Sequence, residues 1–173
     1  HQKKYVWKMV YIFMLGYEID FGHEEIVNLC RSKKYSEKNV GYVAMSVLLK
    51  DEDITPDIVE VIRKDLFSDY EAVQALALAT IANIGGRMLV DAVVTDVQKL
   101  AIQEGVRPIA RKKASLCLLR MFRVNPKIPM PDAWISEVVA LLDDRDLGVV
   151  TSVSSLLLGL ITAASKNNSF GNL

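Results

Sequence analysis

The sequence has no excess of charge of either sign, because Lys plus Arg and Asp plus Glu both number 21 among its 173 residues. No global field therefore draws the molecule to nucleic acid or to an anionic membrane, and any electrostatic function must be local.

Cysteine is also scarce. Cys30 and Cys117 lie far apart in helical apolar patterns, so we expect two buried free thiols in a reducing compartment and neither a disulfide framework nor a zinc cluster.

Catalytic and metal-binding motifs are lacking as well. His23 is followed by two glutamates but by no second histidine at metalloprotease spacing, and no glycine-rich phosphate loop follows a strand. Asp143, Asp144 and Asp146 lack the glycine and the ligand spacing of a calcium loop, so we interpret them as helix-capping acids at a turn. We therefore expect a protein without enzymatic activity, without a cofactor and without a metal site.

A signal peptide is not expected either, since the apolar stretch near the start is rich in aromatic residues and lacks a small-residue cleavage site. Residues 147–165 carry no charged side chain and approach the length of a membrane span. Their spacing instead predicts a packed soluble helix with one weakly polar side. The predicted apolar face comprises Val149, Val153, Leu156, Leu157, Leu160 and Ile161, and the predicted polar face comprises Ser152, Ser155, Gly159 and Thr162.

What the sequence does contain is a series of helical segments, with little that resembles a strand. Turn signals separate segments of roughly 8 to 19 residues whose apolar residues are spaced by three and four, as in globular helices. Thr55 followed by Pro56 predicts one helix start, with Thr55 as the cap. The turn signals lie at residues 15–16, 20–22, 31–33, 51–56, 68–69, 85–86, 105–108, 125–131 and 143–146.

A small residue followed four positions later by a larger apolar residue recurs along the chain, at intervals of 33, 37 and 39 residues. Helix pairs with this pattern bury their apolar faces only by stacking. We therefore predict an all-α fold, an irregular HEAT- or armadillo-like α-solenoid. It would be a right-handed superhelix of antiparallel helix pairs, a single domain over residues 1–173 and a segment of a longer solenoid. The recurring pairs are Ala44 with Leu48, Ala77 with Ile81, Ala114 with Leu118, and Val153 with Leu157.

The start of the chain combines lysines with a tyrosine at the front of an apolar helix. A helix amino-terminus presents unpaired N–H groups and a partial positive charge, which favour a phosphate. Lys3, Lys4 and Lys8 surround that end, and the Tyr5 hydroxyl can bind a phosphate oxygen. The alternative interpretation is a solvated first turn in which the lysines only maintain solubility.

Two further basic groups have alternative interpretations. The first extends the phosphate site or simply faces water; it consists of Arg31, Lys33, Lys34 and Lys38, diluted by Glu37. The second group suggests nucleic-acid binding, but it lacks interleaved aromatic residues and a recognition motif. We therefore favour the interpretation that these charges lie on an outer helix or contact an acidic partner. It consists of Arg107, Arg111, Lys112, Lys113, Arg120 and Arg123.

Five stretches occur in a characteristic order and spacing: KKYVWKMVYIFMLGYEIDFGHEEIVNL, KYSEKNVGY, ALALATIANIG, KKASLCLLRMFR and LLDDRDLGVVTSVSSLL. Together they resemble the amino-terminal trunk of the adaptins, the large subunits of clathrin adaptor complexes. Residues 19–23 (IDFGH), 117–120 (CLLR) and 146–151 (DLGVVT) are most similar to the alpha type, which serves endocytosis at the plasma membrane. The MLGY stretch at residues 14–17 is also similar to the gamma type, which is the alternative.

The resemblance implies a scaffold subunit of a clathrin adaptor complex, acting at clathrin-coated pits on the cytoplasmic face of the plasma membrane as a peripheral membrane protein. It implies three partner subunits, namely sigma, beta-adaptin and mu, together with an indirect link to the clathrin coat and no nucleic acid. It also implies phosphoinositide binding by Lys3, Lys4, Tyr5 and Lys8. The family has a further lysine where this chain has Gln2, so the site here carries one charge less.

Two other functions remain open from the residues alone. One is a general HEAT or armadillo protein-interaction module, which a concave row of exposed aromatic residues or asparagines would favour. The other is a nucleic-acid-binding helical repeat, which strongly salt-dependent RNA binding would favour.

Overall fold

The computed structural model describes the backbone of residues 1–170 and the side chains of residues 1–164. Over residues 1–170 the chain forms α-helices and two short 3-10 helices and contains no β-strand, which confirms the all-α prediction. The helices are α1 (Gln2–Met14), α2 (His23–Cys30), α3 (Tyr35–Leu48), α4 (Pro56–Leu66), α5 (Glu71–Ile84), α6 (Arg87–Ile102), α7 (Pro108–Val124), α8 (Asp132–Ala140) and α9 (Leu147–Phe170), with 3-10 helices at Asp51–Asp53 and Leu141–Asp143.

Short polar side chains cap several of these helices. The Thr55 hydroxyl accepts a hydrogen bond from the Ile58 amide at 3.4 Å, and Pro56 occupies the first helical position, as predicted. Asp146 accepts a hydrogen bond from the Val149 amide at 3.0 Å and caps α9. The prediction that the acids at residues 143–146 cap a helix is therefore confirmed for Asp146.

The start of α6 is capped by a residue that is distant in sequence. The two carboxylate oxygens of Asp51 accept hydrogen bonds from the amides of Met88 and Leu89, at 3.0 and 3.2 Å. Gly86 makes room for this carboxylate, because a Cβ atom at that position would lie 2.1 Å from the Asp51 Cγ atom. The contact joins the 3-10 helix after α3 to the first turn of α6.

The chain divides into two compact units, His1–Ala92 and Val93–Leu173, here called unit 1 and unit 2. In unit 1, α3 packs against α1, α2 and α5, and α4 packs against α5. In unit 2, α9 packs along α7. The single domain predicted over residues 1–173 and the handedness of the superhelix stay predictions.

The recurring small and large residues lie on α3, α5, α7 and α9, one helix of each successive pair. The small residue of every pair is buried, and so is its larger partner in the first three pairs, while Leu157 is half-buried. Small residues let packed helices approach closely, and the larger residue one turn on fills the adjacent space. The arrangement of helix pairs confirms the α-solenoid prediction.

The long apolar helix α9 meets the length and hydropathy of a membrane span over Leu147–Ala164, and 22% of that window is buried within the structure. It packs along α7 through a face that includes Val149, Val153 and Leu156. The predicted orientation is wrong in two places: Ser152 is buried, and Ile161 is 61% exposed. Ser152 reaches the buried side because its hydroxyl donates a hydrogen bond to the Val149 carbonyl, which satisfies its polar group.

Both cysteines are free and buried, as predicted. Burial raises the pKa of each thiol to about 12, although the Lys38 ammonium opposes the shift at Cys30. The thiols are therefore protonated at neutral pH and behave as small apolar side chains.

Candidate phosphate-binding surface on the first helix

Helix α1 presents two different faces because its large apolar residues recur at helical spacing. Val6, Met9 and Val10 are buried against the rest of unit 1. The first turn contains no acidic residue, and no side chain caps the helix at His1. The first turn of α1 therefore carries lysines without a competing acid, a combination that attracts anions.

The structure places the four predicted site residues on three sides of α1. Lys4 and Lys8 are one turn apart and both are exposed, so they form a ridge opposite the buried face. Lys3 and Tyr5 are two positions apart and therefore point to opposite flanks of the helix. The helix brings Lys4 and Lys8 together. Tyr5 is next to the loop between α1 and α2, whereas the charge of Lys3 acts on Glu37 of α3.

Tyr5 lies beside the loop between α1 and α2. Gly22 adopts a left-handed conformation with φ +81°, and a Cβ atom there would lie 2.4 Å from the Met9 Cε atom and 3.7 Å from the Tyr5 Cε1 atom. The glycine thus allows the loop to close over Met9 and to contact the edge of the Tyr5 ring. Tyr5 stays 42% exposed, so its ring is supported while the residue remains accessible to solvent.

Helix α1 packs against α3, and the charge of Lys3 acts on Glu37 in the first turn of α3. Glu37 Oε2 accepts a 2.6 Å hydrogen bond from the Ser32 hydroxyl, and Glu37 Oε1 lies 3.5 Å from Lys34 Nζ. The pKa of Glu37 is lowered, first by the hydrogen bond from Ser32 and then by the charges of Lys34 and Lys3. Sequence reasoning treated Glu37 only as a charge that dilutes its basic neighbours and missed this arrangement.

The predicted basic group around residues 31–38 is divided by the structure. Lys38 is buried, where its ammonium donates to the Cys30 carbonyl and to Asp65, so it does not belong to the surface. Arg31 forms an exposed ion pair with Asp57 on α4. Lys33 and Lys34 are exposed, and the Lys34 ammonium lies beside Glu37.

The predicted basic group on α7 is also divided. Arg111 is largely buried and forms a 3.0 Å ion pair with Asp144, and its guanidinium also donates to the Gln103 carbonyl. It therefore connects the start of α7 to the turn before α9 instead of contributing to an exposed patch. Lys113 and Arg120 are exposed on the same helix.

Among the side chains of residues 1–164, no group of three or more histidine, cysteine, aspartate or glutamate residues is placed to hold a metal ion. On α1, the exposed ammonium groups of Lys4 and Lys8 and the Tyr5 hydroxyl are groups that can bind a phosphate oxygen.

The family model described as "Adaptin N terminal region" matches residues 1–170 of the chain. Among curated relatives, AP-2 complex subunit alpha-1 of Arabidopsis thaliana is 49% identical over 93% of this chain and 16% of its own length. AP-2 complex subunit alpha-2 of Dictyostelium discoideum is 42% identical over 96% of this chain and 17% of its own length. AP-1 complex subunit gamma-like 2 of Homo sapiens is 30% identical over 92% of this chain and 20% of its own length.

The structural comparison agrees with the fold. A chain of a homology model of the full-length AP-3 complex in an intermediate open conformation superposes with a TM-score of 0.73 at 26% identity. That match covers 92% of this chain and 28% of the other. The chain thus spans about one sixth of the length of the alpha subunits that it matches. Since the family model covers nearly all of the chain and the alpha subunits are more similar to it than the gamma-like subunit is, the chain belongs to the adaptin family as an amino-terminal region of the alpha type.

Proposed function

We propose that this chain is part of a scaffold subunit of a clathrin adaptor complex that acts in endocytosis on the cytoplasmic face of the plasma membrane. The observation that carries the proposal is the 49% identity to an AP-2 alpha subunit over 93% of the chain. The stacked helix pairs of each unit provide the extended surfaces on which solenoid proteins bind partners. The proposed partners are the sigma, mu and beta-adaptin subunits, with clathrin bound indirectly.

The partner assignment is tested by co-expression with a sigma-type small subunit and affinity purification. The chain is prepared both alone and extended to the length of its relatives, because the additional length of the relatives contributes surface of its own. We expect stoichiometric co-purification with the extended form. Failure of the extended, folded form to retain any sigma-type subunit would contradict the scaffold proposal.

The proposed membrane ligand is a phosphoinositide headgroup bound by Lys4 and Lys8 on the ridge of α1, with Lys3 and Tyr5 on its flanks. Each lysine near an anionic membrane contributes about 1 kcal/mol, so three of them provide weak and reversible binding. Stable residence on the membrane then requires several such contacts within one complex. Weak individual binding is what a scaffold that responds to several signals together needs.

The lipid proposal is tested by sedimentation with phosphatidylcholine vesicles that contain phosphatidylinositol bisphosphate. The double variant Lys4→Ser/Lys8→Ser should lose most of the binding, and the loss should be accompanied by a weaker dependence on salt. The matched control is Lys113→Ser/Arg120→Ser, which removes two exposed charges from α7 and should retain binding. If the α7 variant loses binding while the α1 variant keeps it, the site on α1 is wrong, and the basic helix α7 becomes the candidate.

A further inference from the structure

Groups that can also bind phosphate surround the Glu37 carboxylate in the first turn of α3. This carboxylate receives a hydrogen bond from the Ser32 hydroxyl at 2.6 Å, an ion pair from Lys34 at 3.5 Å, and attraction from Lys3 across the packed helices α1 and α3. These are the groups that bind a phosphate oxygen in proteins. The Glu37 side chain is about one-third exposed, so the carboxylate can be reached from solvent.

The sequence segments that carry these lysines contain few acids. Residues 1–10 contain three lysines and no acid, and residues 31–38 contain Glu37 as their one acid. The ion pair of Glu37 with Lys34 lies near the surface, where such a pair contributes little, so exchanging Glu37 for a phosphate at Lys34 costs little. A phosphate carries about twice the charge of a carboxylate and three acceptor oxygens, so it makes stronger contacts with the same donors.

We propose that Lys3, Ser32 and Lys34 form a second anion position, which Glu37 fills in the free protein and a phosphate group takes over on binding. This inference rests on the proposed headgroup site and extends it. Lys4 and Lys8 hold one phosphate on the ridge of α1, and the second position holds another phosphate on the flank toward α3. The ligand class is therefore a multiply phosphorylated inositol, either as a lipid headgroup or as a soluble inositol phosphate.

The network beneath this surface holds the second position in place. Lys38, one turn after Lys34 on α3, donates to the Cys30 carbonyl and thereby ties the end of α2 to α3. Ser32 lies in the chain segment between Cys30 and Lys38. Its hydroxyl accepts a hydrogen bond from the Lys34 amide at 3.1 Å. The loop that carries Ser32 and Lys34 is therefore anchored at both ends, so little ordering is needed when a ligand binds.

The test measures affinity for three probes, with Glu37→Gln as the main variant. The probes are vesicles with phosphatidylinositol bisphosphate, vesicles with phosphatidylinositol monophosphate at equal total charge, and soluble inositol trisphosphate. We expect Glu37→Gln to strengthen binding of the bisphosphate vesicles and of the soluble trisphosphate by about two- to fivefold, because the internal competitor is lost. The control Glu60→Gln removes an exposed charge from α4 and should change the affinity less.

A second pair of variants tests the same position from the cation side. Lys34→Ser should reduce the preference of the protein for bisphosphate over monophosphate vesicles, whereas Lys64→Ser on α4 should not. Circular dichroism verifies that each variant is folded. Equal effects of Glu37→Gln and Glu60→Gln, or of Lys34→Ser and Lys64→Ser, would overturn the second position.

The outcomes also distinguish this inference from the proposed function. If Lys4→Ser/Lys8→Ser abolishes binding while the Glu37 and Lys34 variants behave as their controls, the headgroup site stands and the second position is wrong. If the unmodified chain binds none of the three probes, both proposals fall. Binding of the soluble trisphosphate without binding of either vesicle would assign the second position to a free inositol phosphate instead of a lipid.

Discussion

The ammonium of Lys38 lies 2.5 Å from the Oδ2 atom of Asp65, and the two side chains are only 11% and 8% exposed. The same carboxylate oxygen accepts a hydrogen bond from the Tyr42 hydroxyl at 2.6 Å, and Lys38 also donates to the carbonyl of Cys30. The pKa of Tyr42 is raised by burial and by the neighbouring Asp65 carboxylate. A charged cluster thus joins α2, α3 and α4 inside unit 1, where each member satisfies the others.

Removing one partner of this buried pair should destabilise the protein strongly. Asp65→Asn leaves the Lys38 charge uncompensated in the interior, and we expect a loss of about 3 to 5 kcal/mol in the free energy of unfolding, measured with urea. Asp57→Asn is the matched control, because it breaks the exposed pair with Arg31 and should cost about 1 kcal/mol or less. Similar losses in the two variants would show that the Lys38 pair is solvated in solution.

The recurring small residues should not tolerate enlargement. Ala77 on α5 is fully buried, so Ala77→Leu should overpack the helix contact and cost about 1 to 3 kcal/mol. Ala72→Leu introduces the same side chain on the exposed side of the same helix and should be nearly neutral. An unchanged urea midpoint for Ala77→Leu would mean that α5 does not pack through this face.

Gly41 on α3 faces the backbone of α2. A Cβ atom at this position would lie 2.6 Å from the Cys30 amide nitrogen and 3.0 Å from the Leu29 carbonyl carbon, which cannot move independently of α2. We therefore expect Gly41→Ala to lower the melting temperature despite the better helix propensity of alanine.

Gly159 on α9 provides the comparison for this substitution. A Cβ atom there would approach only a side chain, at 2.4 Å from Leu119 Cδ1, and this methyl group can shift. Gly159→Ala should therefore be close to neutral. A lower melting temperature for Gly159→Ala than for Gly41→Ala would contradict the close approach of α2 and α3.

The raised thiol pKa values predict a loss of stability at alkaline pH. An unfolded chain ionises its thiols near pH 8.5 to 9, whereas Cys117 in the folded protein has a pKa of about 12 because it is buried. Between these values the unfolded state binds fewer protons than the folded state. The free energy of unfolding therefore falls as pH rises, by up to about 1.4 kcal/mol per pH unit for this thiol, and its contribution is fully present below pH 8.5.

The contribution of Cys117 is isolated by comparing the unmodified chain with Cys117→Ala in urea unfolding at pH 8 and pH 10. The variant should lose less stability than the unmodified chain over this interval. Equal losses would show that the thiol is accessible and ionises in the folded state.

The positions of the helices could be predicted from the sequence because their signals are local. Thr55, Pro56 and Asp146 act on the next turn of chain, and the recurring alanines mark the buried side of α3, α5 and α7. The divergence of Lys3 and Tyr5 on α1 could also have been derived, since residues two apart on a helix face opposite ways.

The remaining features depend on partners that are distant in sequence. Lys38 reads as a surface cation, and only Asp65, 27 residues later, makes its burial possible. Arg111 is likewise largely buried because it forms an ion pair with Asp144, 33 residues later. Helical spacing assigns side chains to faces but does not determine which cation is paired in the interior.

The cap that Asp51 provides for α6 has a consequence for the order of folding. The amides of Met88 and Leu89 obtain their acceptor from a residue 37 or more positions earlier, so this cap forms only after the intervening chain has closed into a loop. Helices α4 and α5 lie within that loop, and their docking brings its two ends together. The first turn of α6 should therefore become protected from hydrogen exchange no earlier than α4 and α5, and a fragment that begins at α6 would start folding with a frayed end.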